Sequence, residues 1–303
     1  MIPLITGPTA VGKTAVVLKL AGELDGEIVS CDSRQLYAEL NVGTAKPTQE
    51  ELAAVPHHFI GEATVGDPWS AGRYARVAEE RIAQILDRGR SPVVVGGSTL
   101  YIQALVEGLA DIPATDPAVR AALNEKLETV GPAVLFQALE RVDPAFASTL
   151  DPTKSQRIVR GLEVYASTGR PLSSFFEDMP PPRFSYGVVV LDRERERLYA
   201  RIDERVHAMI EAGLIEELHR LMEAGYDPEA NPLRTIGYSE LVPFVRGERS
   251  LDESIALIQR NSRRYAKRQL TWFRGRDDWH WLPLDGFDSV DATCAAVRQR
   301  LGM

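Results

Sequence analysis

The residues Ile2-Pro3-Leu4-Ile5-Thr6 run directly into Gly7-Pro8-Thr9-Ala10-Val11-Gly12-Lys13-Thr14. An apolar run that stops at a glycine reads as a buried parallel strand, and Val16, Val17, Leu20 and Leu24 then recur at helical spacing. The loop between them fits G-x-x-x-x-G-K-[ST]. Its glycines allow a tight turn and close approach of backbone to ligand. Consecutive N–H groups converge on the start of the helix, so donors and a dipole together hold an anion. Lys13 adds a point charge, and the Thr14 hydroxyl offers a hard oxygen to Mg²⁺.

Outward from this loop, strands and helices alternate. Residues 27–31 read as a second strand ended by Asp32-Ser33, 69–88 as a helix, and 92–95 as a third strand closed by Gly96-Gly97 with a helix from Thr99. This order predicts a parallel sheet with helices on both faces. From Pro113 the texture changes. Helices are expected over 117–139 and 153–167, with Asp143-Pro144 and Asp151-Pro152 as start or turn signals. No strand is evident until 186–191, and Pro180-Pro181-Pro182 marks the end of the stretch. A helical insertion over 113–183 therefore divides a core formed by 1–112 and 184–303. Helices over 194–223, 238–246 and 251–274, a short strand over 279–284 and a last helix complete the chain.

The 303 residues exceed an ordinary single domain, and 44% hydrophobic with 26% charged residues is a globular balance. No apolar run reaches the ~18–20 residues of a membrane span. The first apolar run has no basic flank and enters the glycine loop at once, which speaks against a signal peptide. Cys31 and Cys294 are the only cysteines, so a disulfide framework and a four-cysteine zinc site are excluded. His57-His58 lies near no cysteine pair and makes no metal site alone. A cytoplasmic protein is expected. The net charge of −8 speaks against indiscriminate nucleic-acid binding. Yet residues 259–276 carry Arg260, Arg263, Arg264, Lys267, Arg268, Arg274 and Arg276 with no acid. Ile258, Ser262, Tyr265, Leu270 and Phe273 form the expected core stripe of that helix. Uncompensated cations beside Tyr265, Trp272 and Phe273 point to a polyphosphate partner.

Strand ends in such a sheet form the ligand crevice, which puts Asp32 and the hydroxyls of Ser98 and Thr99 near the loop. At that position Asp32 can be a general base, a magnesium ligand or simply a helix cap. Gly43-Thr44-Ala45-Lys46-Pro47 is a second polar loop nearby. Arg201 and Arg205, one helical turn apart, can clamp phosphate or pair with Glu194, Glu196, Asp203 or Glu204. No carboxylate ends the 93–98 stretch as an NTPase requires, which favours a diphosphate leaving group over phosphoryl delivery as the loop's ligand.

These motifs together resemble one family, the bacterial tRNA dimethylallyltransferases. The resemblance runs nearly end to end: GPTAVGKT at 7–14, DSRQLY at 32–37, GTAKP at 43–47, GGSTLY at 96–101, QRIVRGLEVY at 156–165, GLIEEL at 213–218, IGY at 236–238 and YAKRQLTWFR at 265–274. It implies an α/β, P-loop NTPase-like parallel sheet with a helical insertion that packs on the anticodon stem. It implies a monomer that transfers the dimethylallyl group of dimethylallyl diphosphate, with Mg²⁺, to the exocyclic N6 of the adenine 3′ of the tRNA anticodon. By the same resemblance, Gly7, Pro8, Thr9, Ala10, Val11, Gly12, Lys13 and Thr14 hold the diphosphate, with Thr14 on Mg²⁺. Asp32 is the general base, and Ser33, Arg34 and Gln35 join it in reading the extruded base. Ser98 touches donor or acceptor at the reacting centre, and Arg205 helps bind the diphosphate. Arg120, Gln156, Arg157, Ile158, Val159, Arg160, Arg234, Gly237, Tyr238, Lys267, Arg268 and Arg274 contact tRNA. The family usually has Thr where this chain has Ser98, and often a basic residue in place of Ser239. A free-nucleotide prenyltransferase and a nucleotide-kinase-like phosphotransferase are the competing readings.

Overall fold

The computed structural model describes every residue except 109, 111, 114 and 178–180. Pro180 of the proline run therefore lies outside the described residues. The chain divides into two compact units, residues 1–106 with 183–303, and residues 107–182. The smaller unit begins at Glu107 rather than at the expected Pro113.

The larger unit opens with β1 (Ile2–Thr6), α1 (Lys13–Glu23), β2 (Gly26–Cys31), α2 (Gln49–Ala54), β3 (His57–His58), α3 (Ala71–Asp87), β4 (Ser91–Gly96) and α4 (Thr99–Val106). The smaller unit holds α5 (Pro117–Val142), α6 (Pro144–Ala147), α7 (Ser155–Thr168) and α8 (Leu172–Glu177). The larger unit resumes with β5 (Tyr186–Asp192), α9 (Arg195–Glu211), α10 (Leu214–Glu223), α11 (Tyr238–Val245), α12 (Leu251–Phe273), β6 (His280–Pro283) and α13 (Val290–Leu301).

The strands form one parallel sheet in the order β3-β2-β4-β1-β5-β6. Leu4 of β1 lies between Val94 of β4 and Val188 of β5. Every residue of β1 and β2 is buried, as a sheet covered on both faces requires. Ile5, Val93 and Val189 meet Val17 and Leu20 of α1 and Val297 of α13 in one core. This parallel sheet flanked by helices has the P-loop NTPase-like form, and the ends of β1, β2 and β4 open on one crevice.

Two differences from the expected elements have local causes. The helix expected over 194–223 is two helices, because Gly213 adopts φ 93° and restarts the chain as α10. The short β3 and α2 carry too few residues for any period to show. In the smaller unit, α5 is interrupted at Gly131 and Pro132. Asp143 caps α6 through Phe146 N at 3.0 Å and also accepts from the Ser173 hydroxyl and amide. Leu135, Leu139, Ile158 and Val159 form that unit's core. Ile158 and Val159 are fully buried. Their side chains pack in the core that holds α7 in place, so the structure offers no side-chain surface of theirs for the tRNA contact the resemblance implied.

Candidate functional site

The loop after β1 folds back on its own lysine. Lys13 Nζ donates to Gly7 O at 3.0 Å and to Pro8 O at 2.9 Å. Burial and the neighbouring Arg205 lower its pKa to about 8, with Asp32 acting in the opposite direction. Both arginines of the 201/205 pair face the loop rather than the acids beside them. Arg201 Nε donates to Ala10 O at 2.9 Å. Arg205 reaches Thr9 Oγ1 at 3.5 Å and Thr44 O at 3.4 Å. Burial lowers the Arg205 pKa and Asp32 opposes that shift, so a buried cation stands beside the loop. Asp203 is engaged elsewhere, by Arg263 at 2.5 Å.

Asp32 follows β2. Its Oδ1 accepts from Arg34 N at 2.8 Å and Gln35 N at 3.2 Å, so it does cap the next turn. Oδ2 accepts no hydrogen bond among the described residues and remains open for chemistry. Ser98, at the end of β4, accepts from Ser33 N at 2.9 Å and donates to Ser33 Oγ at 3.1 Å. It thereby fixes the segment that presents Asp32. Gln35 Nε2 donates to Thr44 O and Ala45 O, and Arg34 donates to Asn231 O at 2.8 Å.

Sequence reasoning missed two side chains, Gln269 and Glu217, and gave Tyr265 only a core position. Gln269, buried on α12, accepts from Thr9 N at 2.9 Å and donates to Gly97 O at 2.7 Å. It ties the phosphate loop to the end of β4. Glu217, buried on α10, accepts from the amides of Asn41, Val42 and Gly43 and from the Tyr238 hydroxyl at 2.5 Å. The Tyr238 ring lies so close to Gly43 that any Cβ there would collide with it. Tyr265 of α12 lies beside Asp32, and burial with that charge pushes its phenol up to about 12. Gln269 and Glu217 carry no periodicity signal, because each is a polar group serving distant backbone, whereas Tyr265 showed only as part of the apolar stripe.

The crevice consists of two cavities that share a wall. One, of about 620 Å³, is lined by Gly12, Lys13, Thr14, Gly97 and Arg201. The other, of about 550 Å³, is lined by Ser33, Arg34, Trp69, Ser98, Tyr101 and Arg268. Thr9, Ala10, Asp32, Arg205 and Tyr265 line both. Asp32 thus stands at the junction of an anion-binding cavity and a second, more aromatic one.

The remaining expected residues separate into exposed and buried. Lys267, Arg268 and Arg274 are exposed on α12, away from buried Ile258, Ala266, Gln269 and Phe273. Arg268 and Arg274 lie over the Tyr265 and Trp281 rings at 5.7 and 5.9 Å. Arg234 is exposed, 3.7 Å from Glu229. Gly237 and Tyr238 are buried, and the Gly237 amide donates to Glu240 at 2.8 Å. Both pack against the 41–44 loop, where they support it rather than lie open to solvent.

In the smaller unit, Gln156 and Arg157 are exposed. Arg120 and Arg160 reach buried Glu163 at 3.0 and 3.2 Å. Burial alone would raise the Glu163 carboxyl pKa. The Thr115 hydroxyl and the two arginines outweigh burial and lower it.

Among the described residues, no group of three or more His, Cys, Asp or Glu side chains is arranged to hold a metal. His57 contacts Val55 O and His58 contacts Glu27. Mg²⁺ needs no such cage, since it keeps waters and binds substrate phosphates. The exposed Thr14 hydroxyl and Asp32 on the wall of one anion cavity fit that mode.

Comparison with known proteins agrees with this geometry. Residues 35–276 match the family model described as IPP transferase. A tRNA dimethylallyltransferase of Salinibacter ruber is 54% identical over 278 residues, covering 91% of this chain and 86% of the relative. The crystal structure of a Bacillus halodurans tRNA isopentenylpyrophosphate transferase is 35% identical, with TM-score 0.71, and covers 99% of this chain and 96% of the other. A eukaryotic dimethylallyltransferase solved acting on tRNA is 28% identical, with TM-score 0.81, covering 97% and 77%. With its phosphate loop, its basic α12 and matches of this extent, the chain belongs to the IPP transferase family.

Proposed function

We propose that the two cavities are the donor and acceptor halves of one prenyl-transfer site, and that Asp32 works where they meet. The protein is a tRNA dimethylallyltransferase. It moves the dimethylallyl group from dimethylallyl diphosphate to N6 of the adenine 3′ of the anticodon and releases diphosphate. The position of Asp32 at the junction is the observation that carries the division of labour among its residues.

An aromatic amine is a weak nucleophile, so the allylic carbon must become electrophilic. As its C–O bond breaks, charge builds on the diphosphate oxygens. Lys13, Arg205 and the loop N–H groups stabilise that charge. The Thr14 hydroxyl would hold Mg²⁺, which when bound would supply further charge neutralisation at those oxygens. The N6–C bond forms, and Asp32 Oδ2 takes the N6 proton while Oδ1 stays on its cap. The target adenine must leave the base stack, at a cost of a few kcal/mol. Lys267, Arg268, Arg274 and Arg157 offset that cost through phosphate contacts.

No helix among the described residues is long and apolar enough to cross a membrane. We assign the protein to the cytoplasm, where its tRNA substrate works, and to a monomer, as the resemblance to its family implies. The deciding experiment mixes labelled dimethylallyl diphosphate with an anticodon stem-loop and identifies the nucleoside by mass spectrometry. Prenylated adenosine at the position 3′ of the anticodon is expected. Transfer to free AMP with none to RNA, or ATP turnover without RNA, overturns the reading.

A further inference from the structure

Two donors in the wall of the acceptor cavity have no partner among the described residues. Tyr101 lies on α4, and its amide donates to Ser98 O at 2.9 Å. Its ring stacks on Tyr74 at 4.1 Å; Tyr74 meets Phe59 edge-on at 5.3 Å, and Phe59 meets Trp69 at 6.2 Å. Neighbouring hydroxyls are satisfied: Tyr74 donates to Ser30 O at 2.9 Å, and Tyr37 accepts from Trp69 N at 3.1 Å. The Tyr101 hydroxyl and the Trp69 indole N–H are buried and make no hydrogen bond. Tyr101 is only 4% exposed, yet both residues line the cavity that holds Asp32, Ser33 and Ser98.

A buried donor without an acceptor destabilises the free protein, and phenylalanine at 101 would keep the stack without that penalty. Orphan donors beside a ligand cavity match a ligand that brings acceptors. With adenine N6 at Asp32, the ring nitrogens N1 and N7 flank it, and both are bare acceptors. We propose that the Tyr101 hydroxyl, supported by Trp69, donates to N1 or N7 of the extruded adenine and so helps select that base. This rests on the acceptor-cavity reading above.

Such a bond exists before and during transfer, so its removal raises KM for the RNA and leaves kcat near wild type. For Tyr101→Phe we expect a roughly tenfold higher KM for the stem-loop, an unchanged KM for dimethylallyl diphosphate and an equal or higher thermal midpoint. Stem-loops carrying 1-deazaadenine or 7-deazaadenine identify the acceptor. The wild type should lose about as much on one of them as Tyr101→Phe loses on adenine, and the variant should be indifferent to that analogue. Trp69→Phe should weaken the RNA in the same direction. An unchanged RNA KM in Tyr101→Phe, equal sensitivity of wild type and variant to both analogues, or a lowered midpoint with both substrates weakened overturns the proposal. Absence of any prenylated product from the wild-type protein would instead overturn the function itself.

Discussion

Asp32 divides its two oxygens between structure and chemistry, and a substitution can separate them. Asparagine caps a turn as well as aspartate but takes no proton. Asp32→Asn should therefore keep its bonds to Arg34 N and Gln35 N, fold normally and bind tRNA, while the chemical step slows by about 10²–10⁴-fold. Single-turnover rates at saturating RNA measure this, and a near-wild-type rate contradicts the base assignment. Lys13 makes a different prediction. Burial and Arg205 bring its pKa down to about 8, so the free protein loses this cation at a lower pH than an exposed lysine would. Affinity for dimethylallyl diphosphate should then be full below pH 8 and fall as pH rises through it, until the bound anion's pull on the proton is exceeded. Lys13→Ala should weaken the donor far more than RNA and remove this pH dependence. Calorimetric titration at pH 7 and pH 9 tests both points; a wild-type affinity independent of pH would count against the charge.

At the scale of elements, α12 serves two partners with two faces. Gln269 points inward to Thr9 and Gly97, while Lys267, Arg268 and Arg274 lie exposed. Removing one cation from a phosphate should flatten the log–log salt dependence of RNA binding by roughly 0.7–0.9, so the triple alanine variant should lose about two units. Its donor affinity should hardly change. Equal salt slopes in a variant with a wild-type unfolding midpoint would show these cations to be merely solvated. The basic face was legible because a run of cations without local acids is visible in the sequence, although Asp203, distant in sequence, pairs Arg263. The phosphate loop was legible because its geometry demands particular residues at fixed spacing. Gln269 was not legible: it occupies a core position of the helix where the apolar rhythm expects Leu270. Glu217 was equally silent, although the GLIEEL segment that contains it was noticed. Its carboxylate holds three amides of the 41–43 segment and the Tyr238 phenol, all distant in sequence. Glu217→Ala should consequently cost on the order of 3 kcal/mol and raise KM for both substrates, because Thr44 carries the bonds to Arg205 and Gln35. An unchanged denaturation midpoint would mean that water replaces the carboxylate without penalty.

For the whole molecule, the problem is to bind a long polyanion with a chain of net charge −8. Exposed cations gather on α12, where the proposed reading puts the RNA, and many others are paired, as Glu163 pairs Arg120 and Arg160. The two compact units also have separate cores, Ile5, Val93 and Val189 in one and Leu135, Leu139 and Ile158 in the other. A ligand stabilises the part of a protein whose native form binds it, by RT ln(1 + [L]/Kd), or about 2.7 kcal/mol at a hundredfold excess over Kd. On the proposed reading, inorganic diphosphate with Mg²⁺ binds the loop of the larger unit, and no such glycine loop occurs among the described residues of the smaller one. Its addition should therefore slow amide exchange in β1, α1 and β4 and leave α5 and α7 as they were. Glu163→Ala should do the converse, since it strands two cations and the Thr115 hydroxyl: α5 and α7 should exchange faster while the phosphate loop keeps its diphosphate affinity. Hydrogen exchange read by mass spectrometry resolves both segments in one experiment. Protection that rises or falls uniformly across both units would show instead that the chain opens as a single cooperative body.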